Sequence, residues 1–324
     1  MSRMIYVLTS CLLLACCGQK NASNQTVYIV NEKSVETPSF NADSAYSYIA
    51  RQVAFGPRVP NSEAHQACAD YLTAELERHG AKPFIQEAKL KAYNGMILNA
   101  KNIIGSFDPE KIRRVLLFAH WDSRPYAEQD ADPANHHKPI DGADDGGSGV
   151  GVLLEIARQI GAKRPEMGVD IIFFDAEDYG TPYFADHYDP NSWGLGSQFW
   201  AKNPHIPNYK AEYGILLDMV GAKGATFYKE AFSVRYANQF VEKVWTTARR
   251  LGYGKFFINA NAGAITDDHT FVIEGRKIPC IDIINLDDRS NFRPHWHTLN
   301  DNMDNIDRET LKAVGQTVLH VVYN

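Results

Sequence analysis

The sequence predicts an α/β fold, a three-layer α/β/α sandwich around a mixed, largely parallel central sheet. Three observations carry that expectation. "RVLLFAH", "VDIIFFDA", "YGILLDMV" and "IPCIDII" are short, continuous apolar runs, the pattern of strands covered on both faces. Helical stretches separate them, and strand–helix alternation of this kind builds a largely parallel sheet. The runs also end in acids or histidine, and in open α/β sheets ligands bind outside the carboxyl ends of the strands.

Taken in chain order, "MSRMIYVLTSCLLLACCGQK" has one early basic residue, Arg3, and then an apolar core of signal-peptide length. It is too short to span a bilayer comfortably. "LLAC", ending at Cys16, resembles the lipobox of bacterial lipoproteins, in which the cysteine is lipidated and becomes the first residue. A plain signal peptide cleaved near Ala15–Cys16 is the alternative. The reading is a leader over 1–16, a flexible polar tether over 17–39 that includes "GQKNASNQTV", and a single domain over 40–324. The resemblance implies export, and attachment to a periplasm-facing membrane only through a lipid on Cys16.

"FNADSAYSYIARQVAFGPRVP" reads as a helix ended by Gly56-Pro57, and "SEAHQACADYLTAELERHGA" as a second helix stopped by Gly80. "AKPFIQEAKL" and "LNAKNIIGSF" alternate like strands. Among the apolar runs lie the helical stretches "GSGVGVLLEIARQIGA", 231–251 and "RETLKAVGQTVLHVVY". "HYDPNSWGLGSQ" and "ADPANHHKP" read as loops near the mouth of a site. His136–His137 is an exposed pair in the second of these. Cys68 and Cys280 are too far apart for a metal knuckle, which leaves a disulfide or two buried thiols.

Composition is that of a globular protein, with 44% hydrophobic and 22% charged residues. A formal net charge of −6 and the lack of a basic block argue against a nucleic-acid partner. Three strands converge on one crevice: "LLFAH" ends in His120 with Asp122 two residues on, "IIFFDAED" in Glu177–Asp178, and "GILLD" in Asp218. "DGADDGGSG" adds Asp144 and Asp145 before a helix, where one of them is expected to act as an N-cap while the glycines let a carboxylate approach a cation. "RPHWHTLNDNMDNID" offers His295 and His297, with a structural role for His295 an open alternative. These are the nitrogen and oxygen ligand types that zinc takes when one position stays open.

In order, H-x-D, G-A-x-D-x-x-S-G, F-D-x-E-[DE], L-D, D-D-H and W-H-T resemble the zinc aminopeptidase clan from about Phe40 to the C-terminus. Within that clan the chain looks most like the bacterial glutaminyl-peptide cyclotransferases. The resemblance implies Asp145, Asp178 and His297 as zinc ligands and Glu177 as general acid/base. Asp218 and Asp267 would hold a catalytic hydrogen-bond network, with Trp193, Trp296 and Ile265 against the substrate. It implies one zinc, while His120 with Asp218 leaves a second zinc open. Asp267 in "ITDDHTF" favours the cyclase, because the peptidases resembled usually carry serine there. Asp178 departs from the glutamate of animal cyclases. The substrates implied are peptides or exported proteins with N-terminal glutamine, and the protein is expected to be a monomer. A zinc aminopeptidase is the alternative, and a catalytically dead binding lipoprotein a remote one. Trp200 and Trp245 read as core.

Overall fold

Side-chain alternation along the central strands sorts residues into two cores. The computed structural model describes residues 35–324, so the leader, Cys16 and most of the expected tether lie outside the described residues. The strands are β1 (Lys82–Lys91), β2 (Ile97–Phe107), β3 (Arg114–His120), β4 (Gly168–Phe174), β5 (Tyr213–Asp218), β6 (Phe227–Lys229), β7 (Phe257–Asn261) and β8 (Cys280–Ile284). The helices are α1 (Ala42–Val53), α2 (Glu63–Arg78), α3 (Gly147–Ala162), α4 (Leu195–Lys202), α5 (Ala231–Arg250), α6 (Asp268–Arg276) and α7 (Arg308–Tyr323).

The main sheet runs β1-β2-β4-β3-β5-β8. β1–β2 and β2–β4 pair antiparallel, and every other pairing in it is parallel, so the expected mixed, largely parallel sheet is found. On β3, Val115, Leu117 and Ala119 join one core, and Leu116 and Phe118 the other. On β4, Phe173 and Phe174 divide in the same way. The first core packs against α1, α2, α3, α5 and α7, while α4 and α6 cover the opposite face. Trp245 and Trp200 are fully buried, one in each core. Cys68 and Cys280 are free, buried thiols that also fall on opposite sides of the sheet, which decides against the disulfide. Among the described residues, no helix is long and apolar enough to cross a membrane.

The expected strands and long helices are present, and their ends carry the local chemistry that predicts them. Asn41 caps α1 by accepting from the amides of Asp43 and Ser44, and Asp307 does the same for α7. Four elements were not expected. α4 begins inside a segment read as loop, after Gly194 turns the chain through a left-handed conformation (φ 59°). α6 is short, and β6 and β7 form a separate two-stranded sheet. The expected cap of α3 is corrected as well. Its N-cap is Gly146, with no side-chain cap hydrogen bond, because Asp144 accepts from the Gly221 amide (2.8 Å) and Asp145 is turned toward His120.

The chain passes from β3 to its neighbour β4 on one side and then, after β4, crosses to β5 on the other side of β3. The carboxyl ends of these three parallel strands open onto one crevice. α3 approaches the sheet at that end through Gly149. A methyl group there would overlap the Leu217 carbonyl oxygen and lie 2.8 Å from the Ala119 Cβ. Gly149→Ala should therefore cost roughly 1–3 kcal/mol through overpacking, read as a lower urea midpoint with an unchanged m-value.

Candidate metal centre

The crevice gathers carboxylates and imidazoles from separate segments. His120 closes β3 and Asp218 closes β5, while Glu177 and Asp178 follow β4 in a turn. Asp145 lies just before α3, and His297 comes from the irregular segment ahead of α7. His297 Nε2 is 3.1 Å from Asp178 Oδ1 and 3.5 Å from Asp145 Oδ2. The other oxygen of Asp145 lies 3.0 Å from His120 Nε2, which is also 3.2 Å from Asp218 Oδ1. Asp145 thus stands between two groups of possible donors, Asp145–Asp178–His297 and His120–Asp145–Asp218, each with ligand atoms within 4.8 Å of one another.

Outer partners hold these side chains in place. Asp122 accepts from the Glu177 and Asp178 amides, one on each carboxylate oxygen (3.1 Å each). Asp301 does the same for Asp144 (2.8 Å) and Asp145 (3.1 Å). Arg58, fully buried, donates to the carbonyls of Trp121, Asp141 and Gly142 and so fixes the loop that leads to Asp145. Three residues other than glycine take left-handed backbone at the site: Ala176 (φ 54°), Met219 (φ 48°) and His297 (φ 53°). Such conformations persist only where the surroundings over-determine them.

The electrostatics follow from burial and crowding. Burial, then Asp145, pushes Asp178 up to about 6. Burial raises Asp218 to about 6, and burial with Asp218 raises Asp267 to about 7. Glu177 stands well above the usual carboxylate range, because burial and the charges of Asp267, Asp178 and Asp268 outweigh His120. Burial opposes the charge on His297, yet Asp178 and Glu128 lift it to about 9. Glu128 is held down at about 2, against its burial, by His297 and Arg124.

These residues fit a zinc ion. With Nδ1 of His297 donating to Glu128 (3.2 Å), its Nε2 lone pair faces two carboxylates across about a ligand-shell diameter. A proton on Nε2 could serve one of those oxygens but would leave Asp178 Oδ2, buried and without a hydrogen-bond partner, unsatisfied. A cation satisfies all three donors at once, and one nitrogen with two carboxylates is a zinc ligand set that leaves a position for substrate. A third group of possible donors is Asp267–His269–Asp282. Burial and neighbouring acids push Asp282 well above the carboxylate range.

A cavity of about 320 Å³ opens over these groups. Asp145, Glu177, Asp178, Asp218, Asp267 and His297 form its polar side. Trp193, Ile265 and Trp296, expected against the substrate, do line it, joined by Tyr188, Phe292 and Met219. The Trp296 ring stacks on His297 at 3.7 Å between centroids. His120 faces Asp145 and Asp218 rather than the open cavity. His295 bonds Asp144 (2.9 Å) and is structural, and His136 bonds Tyr183 (2.8 Å) in its loop. Sequence reading missed Arg124, Glu128 and Asp301 as partners of the site. "SRPYAEQD" has no helical or strand period to orient its side chains, whereas Asp301 stood four residues past His297 in a segment dense in acids.

A model of peptidase family M28 matches residues 102–322. The fold is similar to that of a Zn-dependent exopeptidase from Parabacteroides distasonis, with a TM-score of 0.88 and 69% identity over 89% of this chain and 100% of that one. It is similar to Tannerella forsythia glutaminyl cyclase, with a TM-score of 0.87 and 73% identity over 89% of this chain and 99% of that one. Bovine glutaminyl-peptide cyclotransferase is 28% identical over 65% of this chain, and the match spans 62% of the bovine protein's length.

Removing the orphaned carboxylate should empty the centre. Asp178→Ala is expected to lower zinc affinity by more than the about 10–100-fold typical of outer partners. Elemental analysis after dialysis checks this, and a variant that retained zinc like the parent would contradict the ligand set.

Proposed function

The chain belongs to peptidase family M28, and we propose that it is a zinc-dependent glutaminyl-peptide cyclotransferase. It converts the N-terminal glutamine of peptides and exported proteins to pyroglutamate and releases ammonia. The observation that carries this reading is the 73% identity to the Tannerella forsythia glutaminyl cyclase across 99% of that chain. The cavity supports it, since Asp267 lies with Glu177 on its polar side and apolar rings close the rest.

Asp145, Asp178 and His297 hold one zinc ion, which when bound supplies Lewis acidity toward the γ-carbonyl oxygen of the substrate glutamine. Glu177 accepts a proton from the substrate α-amine as that nitrogen bonds to the carbonyl carbon of the side-chain amide (Cδ) and closes the five-membered ring. The same carboxyl then delivers the proton to the γ-amide nitrogen, whose bond to carbon breaks, so ammonia leaves with its protons balanced. Asp267 accepts a hydrogen bond from the γ-amide and keeps that nitrogen aligned to depart, and the charge of Asp218 acts on Asp267. Trp193, Ile265 and Trp296 exclude the water that would compete with the amine. In this one-zinc reading His120 Nε2 pairs with Asp145 and Asp218 (3.0 and 3.2 Å).

A zinc aminopeptidase is the second reading. Its support is the His120–Asp145–Asp218 group, which offers donors for a second metal, and the likeness to the Parabacteroides exopeptidase. For the chain as a whole we propose export as a lipoprotein carrying its lipid on Cys16, at a periplasm-facing membrane, and action as a monomer. The support for export is Arg3, the apolar run and "LLAC" in the leader.

A Gln-initiated peptide should lose ammonia with no chain cleavage, while Leu-p-nitroanilide stays intact; chromophore release would favour the aminopeptidase. Glu177→Gln should keep its zinc and lose turnover by about 10²–10⁴-fold. Steady-state ammonia release measured beside zinc content checks both halves of that expectation.

A further inference from the structure

We infer that Arg124 and Glu128 form a buried truss that positions two of the three zinc ligands, and that Glu128 sets the zinc affinity of the centre through the His297 ring. The inference rests on Asp145, Asp178 and His297 being the ligands. Arg124 is fully exposure-free and Glu128 only 5% exposed. The Arg124 Nε donates to Glu128 Oε1 (2.9 Å), and its Nη2 donates to the same oxygen (2.5 Å). Its remaining end, Nη1, donates to the carbonyls of Asp178 and Gly180 (2.8 Å each). One guanidinium therefore ties the turn that carries Asp178 to the carboxylate that faces His297.

That carboxylate does more than balance charge. Glu128 Oε1 accepts from His297 Nδ1 (3.2 Å), which fixes the tautomer with Nε2 free to ligate and makes that nitrogen more basic. The next residue reinforces the hold, as the Gln129 amide donates to the His297 carbonyl (3.0 Å). His297 is thus gripped at ring and backbone by consecutive residues, and it is one of the residues in left-handed backbone that needs such a grip. Trp193 completes the frame. Arg124 lies over its ring (4.7 Å to the centroid), and that ring runs parallel to His297 (14° between planes). A point charge such as lysine could pair with Glu128, but it could not also reach both carbonyls.

The test measures zinc affinity of the purified protein by chelator competition, together with the visible spectrum of the cobalt(II)-substituted form. Glu128→Gln is expected to weaken zinc binding by about 10–100-fold and to shift the cobalt bands, because the histidine ligand becomes less basic. Arg124→Lys should weaken zinc by about tenfold and gives an independent reading should Glu128→Gln fail to fold. Glu155→Gln serves as control. Glu155 is also buried and paired, with Arg158, but it touches no ligand, so its variant should lose stability and keep zinc affinity. A zinc-binding parent beside folded Glu128→Gln or Arg124→Lys of unchanged affinity would overturn the truss alone. An equal loss in Glu155→Gln would overturn it too, by reducing the effect to stability. A parent that binds no zinc would overturn the ligand assignment itself.

Discussion

Crowding of buried carboxylates around one cavity is the constraint to which most other features of the site respond. Asp145, Glu177, Asp178, Asp218 and Asp267 are all buried, and desolvation acts against the charge of each. In a low-dielectric interior such a set is stable only if protons, cations or oriented dipoles answer it. All three answers are present. Arg124 brings a permanent positive charge beside Asp178, and His120 and His297 bring nitrogens between the acids. Asp122 and Asp301 add further acids, yet each accepts two backbone amides and so converts its charge into a fixing point for a ligand loop. The two apolar cores on either side of β3, β4 and β5 keep the strand ends from relaxing apart.

What the sequence made legible follows from where periodicity applies. β3, β4, β5 and β8 read as continuous apolar runs because both of their faces are buried, and the residues at their carboxyl ends could be aimed at one crevice by the topology of open sheets alone. The pocket residues Trp193, Ile265 and Trp296 came from likeness to a family rather than from pattern, since all three lie on irregular backbone. α4 and α6 were hidden because they are short and start within glycine- or aspartate-rich stretches that also suit turns. The cap of α3 was misread because sequence shows that an aspartate is next to a helix but not what else competes for it. Gly221 claims Asp144 and His120 claims Asp145, and both partners are distant in the chain.

The outer partners were least legible, and for the same reason. Arg124 and Glu128 stand four apart, a spacing that on a helix would suggest an ordinary surface ion pair. The chain there is not helical, and the pair is buried. Its meaning comes only from the carbonyls of Asp178 and Gly180 and the ring of His297, which no local pattern places beside it.

The adjacency of Glu177 and Asp178 is where these constraints meet. Neighbouring carboxylates would ordinarily either repel or share one proton, and in both cases they would act as a unit. Here the backbone prevents that. Left-handed Ala176 turns the chain sharply after β4, and Asp122 takes one amide from each residue on separate oxygens. The Glu177 carbonyl accepts from Gly194 and the Asp178 carbonyl from Arg124, so the main chain of both residues is held at amide and carbonyl. With the main chain pinned, Asp178 contacts His297 in the ligand group, while Glu177 stands beside it on the polar side of the cavity with Asp218 and Asp267. In the proposed reading one carboxylate is committed to the metal and the other kept available for a proton. A ring closure in which the substrate brings its own nucleophile needs that separation, because the group that takes the proton from the amine must be free to give it to the departing ammonia.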